Sequence, residues 1–428
     1  MGVFKAYDIR GVFDSEIDED FAYKLGRSIV IFLKASEIIV ARDGRLSSDT
    51  LHQHLCKGMM DQGASVHDIG ISSSPHLYFA VQRFEKPGVI ITASHNPKEY
   101  NGFKIMDKNL DAVHLKNGLL GIKKLVDNPN FQEPYKRGNY IALSTKKYYL
   151  DFLKKFVVDK DISFVVDASN GSGKIEADFL NATYNNCIVI NDEVDGNFPN
   201  HSPDPTNPEN HGQIRKRILD TKSDFGVIFD GDADRAIFLD EKGQAIRPEI
   251  LVSLFNLEGT VLYDVRSSQS LSKACDLKNI NSIMVKTGRT NFVSDMREHQ
   301  AFIGVEGSGH YFFKEFNYLD SAIIAILKLI EVLKTPLSKE IKKHTYYIHS
   351  GEMNFKVKNR EKAIENIRKS FSPNQILTLD GLSMYFDDYW FSARLSNTEP
   401  LVRINAESKS QETLDKFKEK IVEILNNS

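Results

Sequence analysis

Cysteine is scarce in this 428-residue chain, which holds only Cys56, Cys187 and Cys275. They lie far apart and follow no pairing or ligand pattern, which argues against a disulfide framework or a zinc site. Long apolar runs are also missing: nothing approaches the roughly 18 uninterrupted apolar residues that a membrane span requires. Charge of one sign is not in excess, since 55 Lys and Arg face 58 Asp and Glu for a net −3. So small a charge leaves no footprint for nucleic acid. The opening Met-Gly-Val-Phe-Lys-Ala-Tyr-Asp lacks the apolar core of a signal peptide and reads as the start of a strand. Ala6 stands where myristoylation at Gly2 would need Ser or Thr. These absences predict a cytoplasmic protein with no nucleic-acid and no membrane partner.

What is present is the composition of an ordinary globular protein, 41% hydrophobic and 26% charged, in a chain too long for one core. Strand-like and helical runs alternate through most of it, the pattern of parallel α/β units. Ile38 to Ala41 precedes a helix from about Ser48 to Gln62, and Val89 to Ile91 follows. Ser163 to Asp167 leads through Asn170-Gly171-Ser172-Gly173 to a helix and then Cys187 to Ile190. Gly171 to Lys174 fails the P-loop pattern and reads as a tight strand-helix turn. Strands at 261–263, 282–285 and 302–305 form a third unit, and Leu319 to Leu333 reads as one helix. The last eighty or so residues differ. Strands at 355–357, 377–379, 384–386, 390–394 and 401–404, with helices at 361–371 and 411–425, make an α+β module. Breaks near 143, 242 and 347 predict domains at 1–143, 144–242, 243–347 and 348–428.

Several segments carry chemistry. Thr92-Ala93-Ser94-His95-Asn96-Pro97 follows the run Gly88 to Ile91, so a serine hydroxyl sits on a loop whose shapes Pro97 limits. Phe225 to Phe229 runs into Asp230-Gly231-Asp232-Ala233-Asp234-Arg235. Carboxylates at alternate positions of an extended segment share one side. Their mutual repulsion calls for a cation, and all-oxygen ligands select Mg²⁺. An EF-hand is a poor reading, because Arg235 stands where that loop needs Gly, although Glu241 falls at its twelfth position. If the backbone at Ala233 needs a positive φ, alanine there costs around 1 kcal/mol. Gly304-Val305-Glu306-Gly307-Ser308-Gly309-His310 suits a loop close to a polyol, with Glu306 accepting from hydroxyls. Arg394-Leu395-Ser396-Asn397-Thr398, with Arg403 beyond, offers a guanidinium fork and neutral donors for a phosphate. Arg10 and Lys104 are further loop cations.

In this order the segments Tyr7 to Gly11, Thr92 to Pro97, Asp195 to His201 with Pro203-Asp204-Pro205, Asp230 to Arg235, Glu306 to His310 and Arg394 to Thr398 resemble the α-D-phosphohexomutases. They are most similar to the bacterial and archaeal phosphomannomutase/phosphoglucomutase group, over essentially the whole chain. The resemblance implies three α/β domains and a smaller C-terminal α+β domain around a central cleft. It implies that Ser94 carries a phosphoryl group and passes it to a hexose 1-phosphate, forming a 1,6-bisphosphate whose other phosphate returns to Ser94. Mg²⁺ would be held by Asp230, Asp232, Asp234 and the Ser94 phosphoryl group, with Arg235 assisting. Arg394, Ser396, Asn397, Thr398 and Arg403 would hold the non-reacting phosphate, and Glu306 and Ser308 the sugar hydroxyls at C3 and C4. Arg10, Lys104 and His310 remain open as proton-transfer or electrostatic groups. A hexose 1,6-bisphosphate would serve as activator, and a monomer or homodimer would act on free sugar phosphates.

The site must accept the sugar in two opposed orientations. O3 and O4 lie nearly symmetrically about the flip axis and C2 does not, so tolerance of both mannose and glucose is expected. The chain departs from the family at Ala233, at Val305, at Gly307 and at Arg289, where the mannose/glucose group usually has histidine. Arg289 would lie near the sugar. Three other readings rank lower. A phosphoglucosamine mutase would carry glutamine at position 307 and a different N-terminal opening. A non-catalytic sugar-phosphate-binding regulator would not need Ser94, three aspartates and Lys104 intact. A haloacid-dehalogenase-type phosphatase would place its Asp-Gly-Asp motif on its first strand.

Overall fold

The computed structural model describes residues 2–395 and 401–426. The chain falls into two compact units, Met1–Ile246 with Ser308–Leu337, and Arg247–Gly307 with Ser338–Ser428.

In the first unit the strand Gly88–Ile91 is buried at every position. It lies inside a six-stranded sheet, parallel to Glu37–Arg42 and antiparallel to Tyr100–Met106, which also pairs with Ile9–Val12. Covered faces explain why the strand is a continuous apolar run rather than an alternating one. The helix Glu19–Leu33 starts where Asp18 accepts from the Phe21 amide at 2.7 Å and ends at Lys34 in the left-handed region. It packs on Ser48–Asp61 at Gly26, where a Cβ would stand 2.2 Å from the Leu55 carbonyl oxygen. Only glycine lets the two helix backbones approach so closely. Ile29, Leu55, Val40, Val89 and Phe103 are fully buried in the same core.

A second sheet runs in the order Ala245–Ile246, Ala236–Asp240, Phe225–Phe229, Phe164–Asp167, Cys187–Ile190. Phe225–Phe229 and Phe164–Asp167 are parallel, and Ala236–Asp240 returns antiparallel in a tight hairpin. The serine loop and the acidic turn both leave the C-terminal ends of buried strands, where open α/β sheets place their ligands. The rest of this unit includes the antiparallel pair Tyr311–Phe313 and Leu319–Asp320 and the buried helix Ala322–Val332.

In the second unit Thr260–Asp264 lies parallel between Asn281–Val285 and Ile303–Val305. The C-terminal part is antiparallel: Gln375–Leu377, Leu382–Tyr385, Tyr389–Leu395 and Leu401–Ser408 pair in sequence, and the helices Arg360–Ser370 and Gln411–Asn426 supply Ile367, Leu414 and Ile421 to their core.

Some expectations change. The run 319–333 is not one helix: Leu319–Asp320 is a strand, and the helix begins at Ala322 after an extended Ser321. The N-terminus does not open as a strand. Lys5 and Asp8 close a turn, Phe4 makes only an isolated bridge to Ile9, and the first strand starts at Ile9. The strands placed at 377–379 and 384–386 lie about two residues earlier. Gly381, at φ 87°, turns the chain just before Leu382, and Phe386 belongs to the next turn, its amide donating to Tyr389. The aspartates do not alternate along an extended segment either. Residues 230–235 form a turn, and that turn is what converges the carboxylates.

Candidate active site

Ser94 lies just past the strand Gly88–Ile91 and adopts φ 50°, in the left-handed region. Such a conformation costs a non-glycine residue about 1–2 kcal/mol. Its amide donates to Thr92 Oγ1 at 2.9 Å, and its hydroxyl donates to Asp230 Oδ2 at 2.6 Å. The residue is 1% exposed.

The turn 230–235 has its own strain at Ala233, with φ 55°, so the conditional expectation of a positive φ holds. Asp230, Asp232 and Asp234 are all fully buried and bring one carboxylate oxygen each within 4.8 Å of the others. A Cβ on Gly231 would lie 2.5 Å from the Ser94 carbonyl oxygen, so glycine is what lets the acidic turn rest against the serine loop. Lys104 Nζ donates at 2.6 Å to both Asp232 Oδ2 and Asp234 Oδ2. Arg235 Nε stands 3.9 Å from Asp230 Oδ2 and donates to His310 Nε2 at 2.9 Å. The other ring nitrogen of His310 lies 2.6 Å from Asp320 Oδ2. Arg10 reaches the serine loop through Asn96 Oδ1, 2.6 Å, and is braced by Asp8.

The electrostatics follow from three buried carboxylates sharing two principal cations. Burial, then Asp232 and Asp234, push the Asp230 carboxyl well above its ordinary range. Burial acts the same way on Asp234, but Lys104 and His310 outweigh it and hold that carboxyl low. Burial opposes the charge on Lys104, yet Asp232 and Asp234 raise its ammonium well above the usual value. Arg235, followed by burial, drives the His95 imidazole well below its usual value and leaves it neutral beside Ser94.

These residues fit a hard divalent cation. All donors are carboxylate oxygens, and Asp232 Oδ1 and Asp234 Oδ1 are buried with no hydrogen-bond partner. Unsatisfied buried anionic oxygens are costly and mark where a cation belongs.

The second unit carries other predicted residues. Glu306 follows Ile303–Val305, and its Oε1 accepts from Arg266 Nη2 at 3.0 Å. Asp264, 2.7 Å from the same Nη2, fixes that guanidinium. Glu306 Oε2 stays buried without a hydrogen-bond partner, an oriented acceptor. Arg289 opens the helix Arg289–Glu298 after Gly288. Arg394 and Arg403 are direct cross-strand partners. Like charges in that register destabilise a sheet. Asp380 takes Arg394 at 2.9 Å and Glu352 lies 3.5 Å from Arg403, while Arg394 Nε is buried and unpartnered. Ser308, which falls in the first unit, also has a buried, unpartnered hydroxyl. Ser396, Asn397 and Thr398 lie outside the described residues.

Family profiles described as phosphoglucomutase/phosphomannomutase domains match residues 1–117 (domain I), 147–243 (domain II), 250–347 (domain III) and 352–424 (C-terminal domain). A phosphomannomutase from Methanocaldococcus jannaschii is 36% identical, with 99% of this chain and 97% of that protein covered. The chain belongs to the phosphoglucomutase/phosphomannomutase family. An Escherichia coli K12 phosphomannomutase is 34% identical, covering 95% of this chain and 94% of its own length. The crystal structure of a phosphoglucomutase/phosphomannomutase family protein from Burkholderia thailandensis superposes with a TM-score of 0.90 at 29% identity, covering 100% of this chain and 97% of that one.

In the terms of this family, Ser94 falls in the domain I match, the aspartates in domain II, Glu306 in domain III, and Arg394 and Arg403 in the C-terminal domain. Three residues that the motif reading passed over help to build the site in this member of the phosphoglucomutase/phosphomannomutase family. Ser74, at the start of the helix Ser74–Phe84, donates its amide to the Asp232 carbonyl at 2.9 Å and its hydroxyl to Asp232 Oδ2 at 2.6 Å. Arg266 orients Glu306, as above. Arg45 contacts the serine loop. The available signals were a Ser-Ser-Ser-Pro helix start and an Asp-Gly-Arg turn at a strand end, both of which have ordinary structural uses.

Proposed function

We infer that this chain is a phosphohexomutase, interconverting hexose 1-phosphates and hexose 6-phosphates, with mannose and glucose as the sugars. The observation that carries the reading is the Ser94 hydroxyl held 2.6 Å from a buried carboxylate of a three-aspartate turn. Phosphorylated Ser94 would donate its phosphoryl group to O6 of a hexose 1-phosphate. The P–Oγ bond breaks as the P–O6 bond forms, and the O6 proton passes to a nearby base. The 1,6-bisphosphate then reorients, a P–Oγ bond forms at Ser94 as the P–O1 bond breaks, O1 takes up the proton, and the 6-phosphate leaves. Phosphoryl transfer needs positioning and charge compensation above all. A bound Mg²⁺ would neutralise charge on the transferring group, held by Asp230, Asp232, Asp234 and a phosphoserine oxygen.

The chain's own residues would divide the remaining work. Lys104, kept protonated by Asp232 and Asp234, and the Arg10 guanidinium suit electrostatic stabilisation of the equatorial oxygens. Arg235, braced by His310, would act on the same oxygens. Glu306 would accept from sugar hydroxyls through its unpartnered oxygen, with Ser308 alongside, and Arg289 would contact the sugar. Arg394 and Arg403, two cations in register, would gain an anionic partner in the non-reacting phosphate, joined by Ser396, Asn397 and Thr398. A hexose 1,6-bisphosphate would restore enzyme that has lost its phosphoryl group. Four domains bounded near 143, 242 and 347, a cytoplasmic location and a monomer or homodimer complete the reading. No described helix is long and apolar enough to cross a membrane.

The test is ³¹P NMR of the purified protein with Mg²⁺, trace glucose 1,6-bisphosphate and, separately, mannose, glucose and glucosamine 1-phosphates. Conversion of the first two to 6-phosphates, lost in Ser94→Ala, is expected. Turnover of glucosamine 1-phosphate alone would move the chain to another mutase specificity. Release of inorganic phosphate would indicate a phosphatase, and no reaction by phosphorylated protein would sink the assignment.

A further inference from the structure

Arg45 is a charged side chain with no exposure, two residues beyond Asp43 at the end of the strand Glu37–Arg42. Its Nε donates to Asp43 Oδ2 at 3.1 Å. Nη2 donates to the carbonyl oxygens of Ser94, 2.8 Å, and Asn96, 2.7 Å, and Nη1 to those of Pro97, 2.7 Å, and Tyr100, 3.0 Å. The five N–H donors of the guanidinium thus meet one carboxylate and four carbonyls of a single loop. The Phe198 ring lies 5.1 Å from its central carbon. Asp43 is itself fixed, its Oδ1 accepting from the Arg45 amide at 3.0 Å and from Ser48 Oγ at 2.6 Å.

The loop that this fork holds is the one whose backbone is strained. Ser94 sits in the left-handed region, and such a conformation persists only where its surroundings over-determine it. The Ser94 carbonyl is also the atom against which Gly231 of the acidic turn rests. One guanidinium therefore fixes the peptide that sets both the direction of the Ser94 hydroxyl and the seat of the aspartate turn. We propose that Arg45 is a positioning residue for phosphoryl transfer, a buried fork that locks the Ser94–Tyr100 backbone so that Ser94 Oγ stays aimed at Asp230 and the transferring phosphoryl group stays in line. It touches neither substrate nor the reacting atoms. The proposal rests on the phosphohexomutase reading for its kinetic consequence and on geometry alone for its structural one.

Lysine keeps the charge and most of the volume but supplies three donors from one point, so it cannot reproduce a planar fork. Misplacing reacting groups by about 1 Å can cost roughly a hundredfold in rate. The test compares full-length wild type with Arg45→Lys and Arg45→Ala, pre-phosphorylated with glucose 1,6-bisphosphate, in steady-state turnover of glucose 1-phosphate and mannose 1-phosphate. Hydrogen exchange of the amides of residues 94–100 is measured in parallel. In Arg45→Lys, kcat should fall about a hundredfold with KM changed less than about threefold, and exchange protection should be lost in the serine loop while the neighbouring strands keep theirs. Added guanidinium or methylguanidinium should restore part of kcat in Arg45→Ala, filling the vacated space.

Wild-type kcat in Arg45→Lys would overturn the proposal, because charge and bulk would then suffice. Loss of activity in step with folded fraction, with protection lost evenly across the sheet and no chemical rescue, would overturn it too, leaving only a core-packing role. Should Arg45→Ala fail to fold, the lysine variant carries the test alone. If the wild-type protein turned over no hexose phosphate, the functional reading would fall. The exchange data would still decide whether the fork holds the loop, since loop-confined loss of protection supports it and unchanged protection refutes it.

Discussion

Ser94 Oγ donates to Asp230 Oδ2 across 2.6 Å, joining residues 136 positions apart on loops that follow strands of two different sheets of the first unit. The hydrogen bond fixes where the Ser94 hydroxyl stands. It also gives Asp230 a partner that survives replacement by asparagine, whose side-chain oxygen can still accept. Asp230→Asn therefore removes a charge and leaves the contact. A unit charge about 4 Å away is worth about 4 kcal/mol at the effective dielectric of such a site. Calorimetric titration with Mg²⁺ should show affinity reduced by roughly a thousandfold, with turnover falling alongside. Unchanged Mg²⁺ affinity would remove Asp230 from the ligand set.

Lys104 makes the opposite case. Its ammonium lies 2.6 Å from oxygens of both Asp232 and Asp234, so it neutralises the carboxylates that would bind the cation and competes with it. Lys104→Gln should bind Mg²⁺ at least as tightly as wild type in calorimetry. Its kcat should fall by about two orders of magnitude, because the transferring group loses a positive neighbour. A parallel loss of metal affinity and kcat would mean that Lys104 organises the aspartate turn rather than opposing the cation there.

At Ala233 the backbone itself makes a prediction. A φ of 55° is strained for alanine and free for glycine. Relief of about 1–2 kcal/mol is offset by the greater unfolded-state freedom of glycine, about 0.4–1 kcal/mol. Ala233→Gly should therefore raise stability slightly, by up to about 1.5 kcal/mol, in thermal or urea unfolding. Destabilisation would show that the Ala233 methyl, packed near Gly173, contributes more than its strain removes.

Sequence legibility divides along a physical line. Buried parallel strands are continuous apolar runs, so Val89 to Ile91 and Phe225 to Phe229 could be read directly, and with them the loops they present. Short turns whose residues bear charge, such as 230–235, could be recognised by composition but not by shape. The carboxylates converge because the chain reverses at a left-handed Ala233, which no periodicity records. Arg45 and Ser74 were hidden for another reason. Each acts through backbone carbonyls and carboxylates distant in sequence, and a serine at a helix start or an arginine after a strand has many commoner uses. In the C-terminal part, strands of alternating exposure left boundaries to the turns, and Gly381 and Phe386 moved them by about two residues.

Beneath the site lies a group whose charge the fold suppresses. Glu176 is fully buried on the helix Lys174–Thr183, and its Oε1 accepts from the Ser73 hydroxyl and, at 2.9 Å, from the Tyr149 hydroxyl. Burial raises its pKa from 4.5 to about 7, against the opposing effect of those two donors. Ser73 caps the helix whose next residue, Ser74, holds Asp232. The sign of the pH effect follows. The folded protein keeps the Glu176 proton more tightly than the unfolded chain does, so its contribution is fully present below pH 4.5, declines between 4.5 and about 7, and is constant above. At about 1.4 kcal/mol for each pH unit of that interval, the decline is on the order of 3 kcal/mol. Glutamine cannot ionise and still offers an oxygen to Ser73 and Tyr149. Urea unfolding of wild type and Glu176→Gln at pH 5 and pH 8 should therefore show the two close in stability at pH 5 and the variant more stable at pH 8. Equal pH dependence in both proteins would mean that Glu176 is already ionised in the folded state, stabilised by Ser73 and Tyr149 more strongly than burial opposes it.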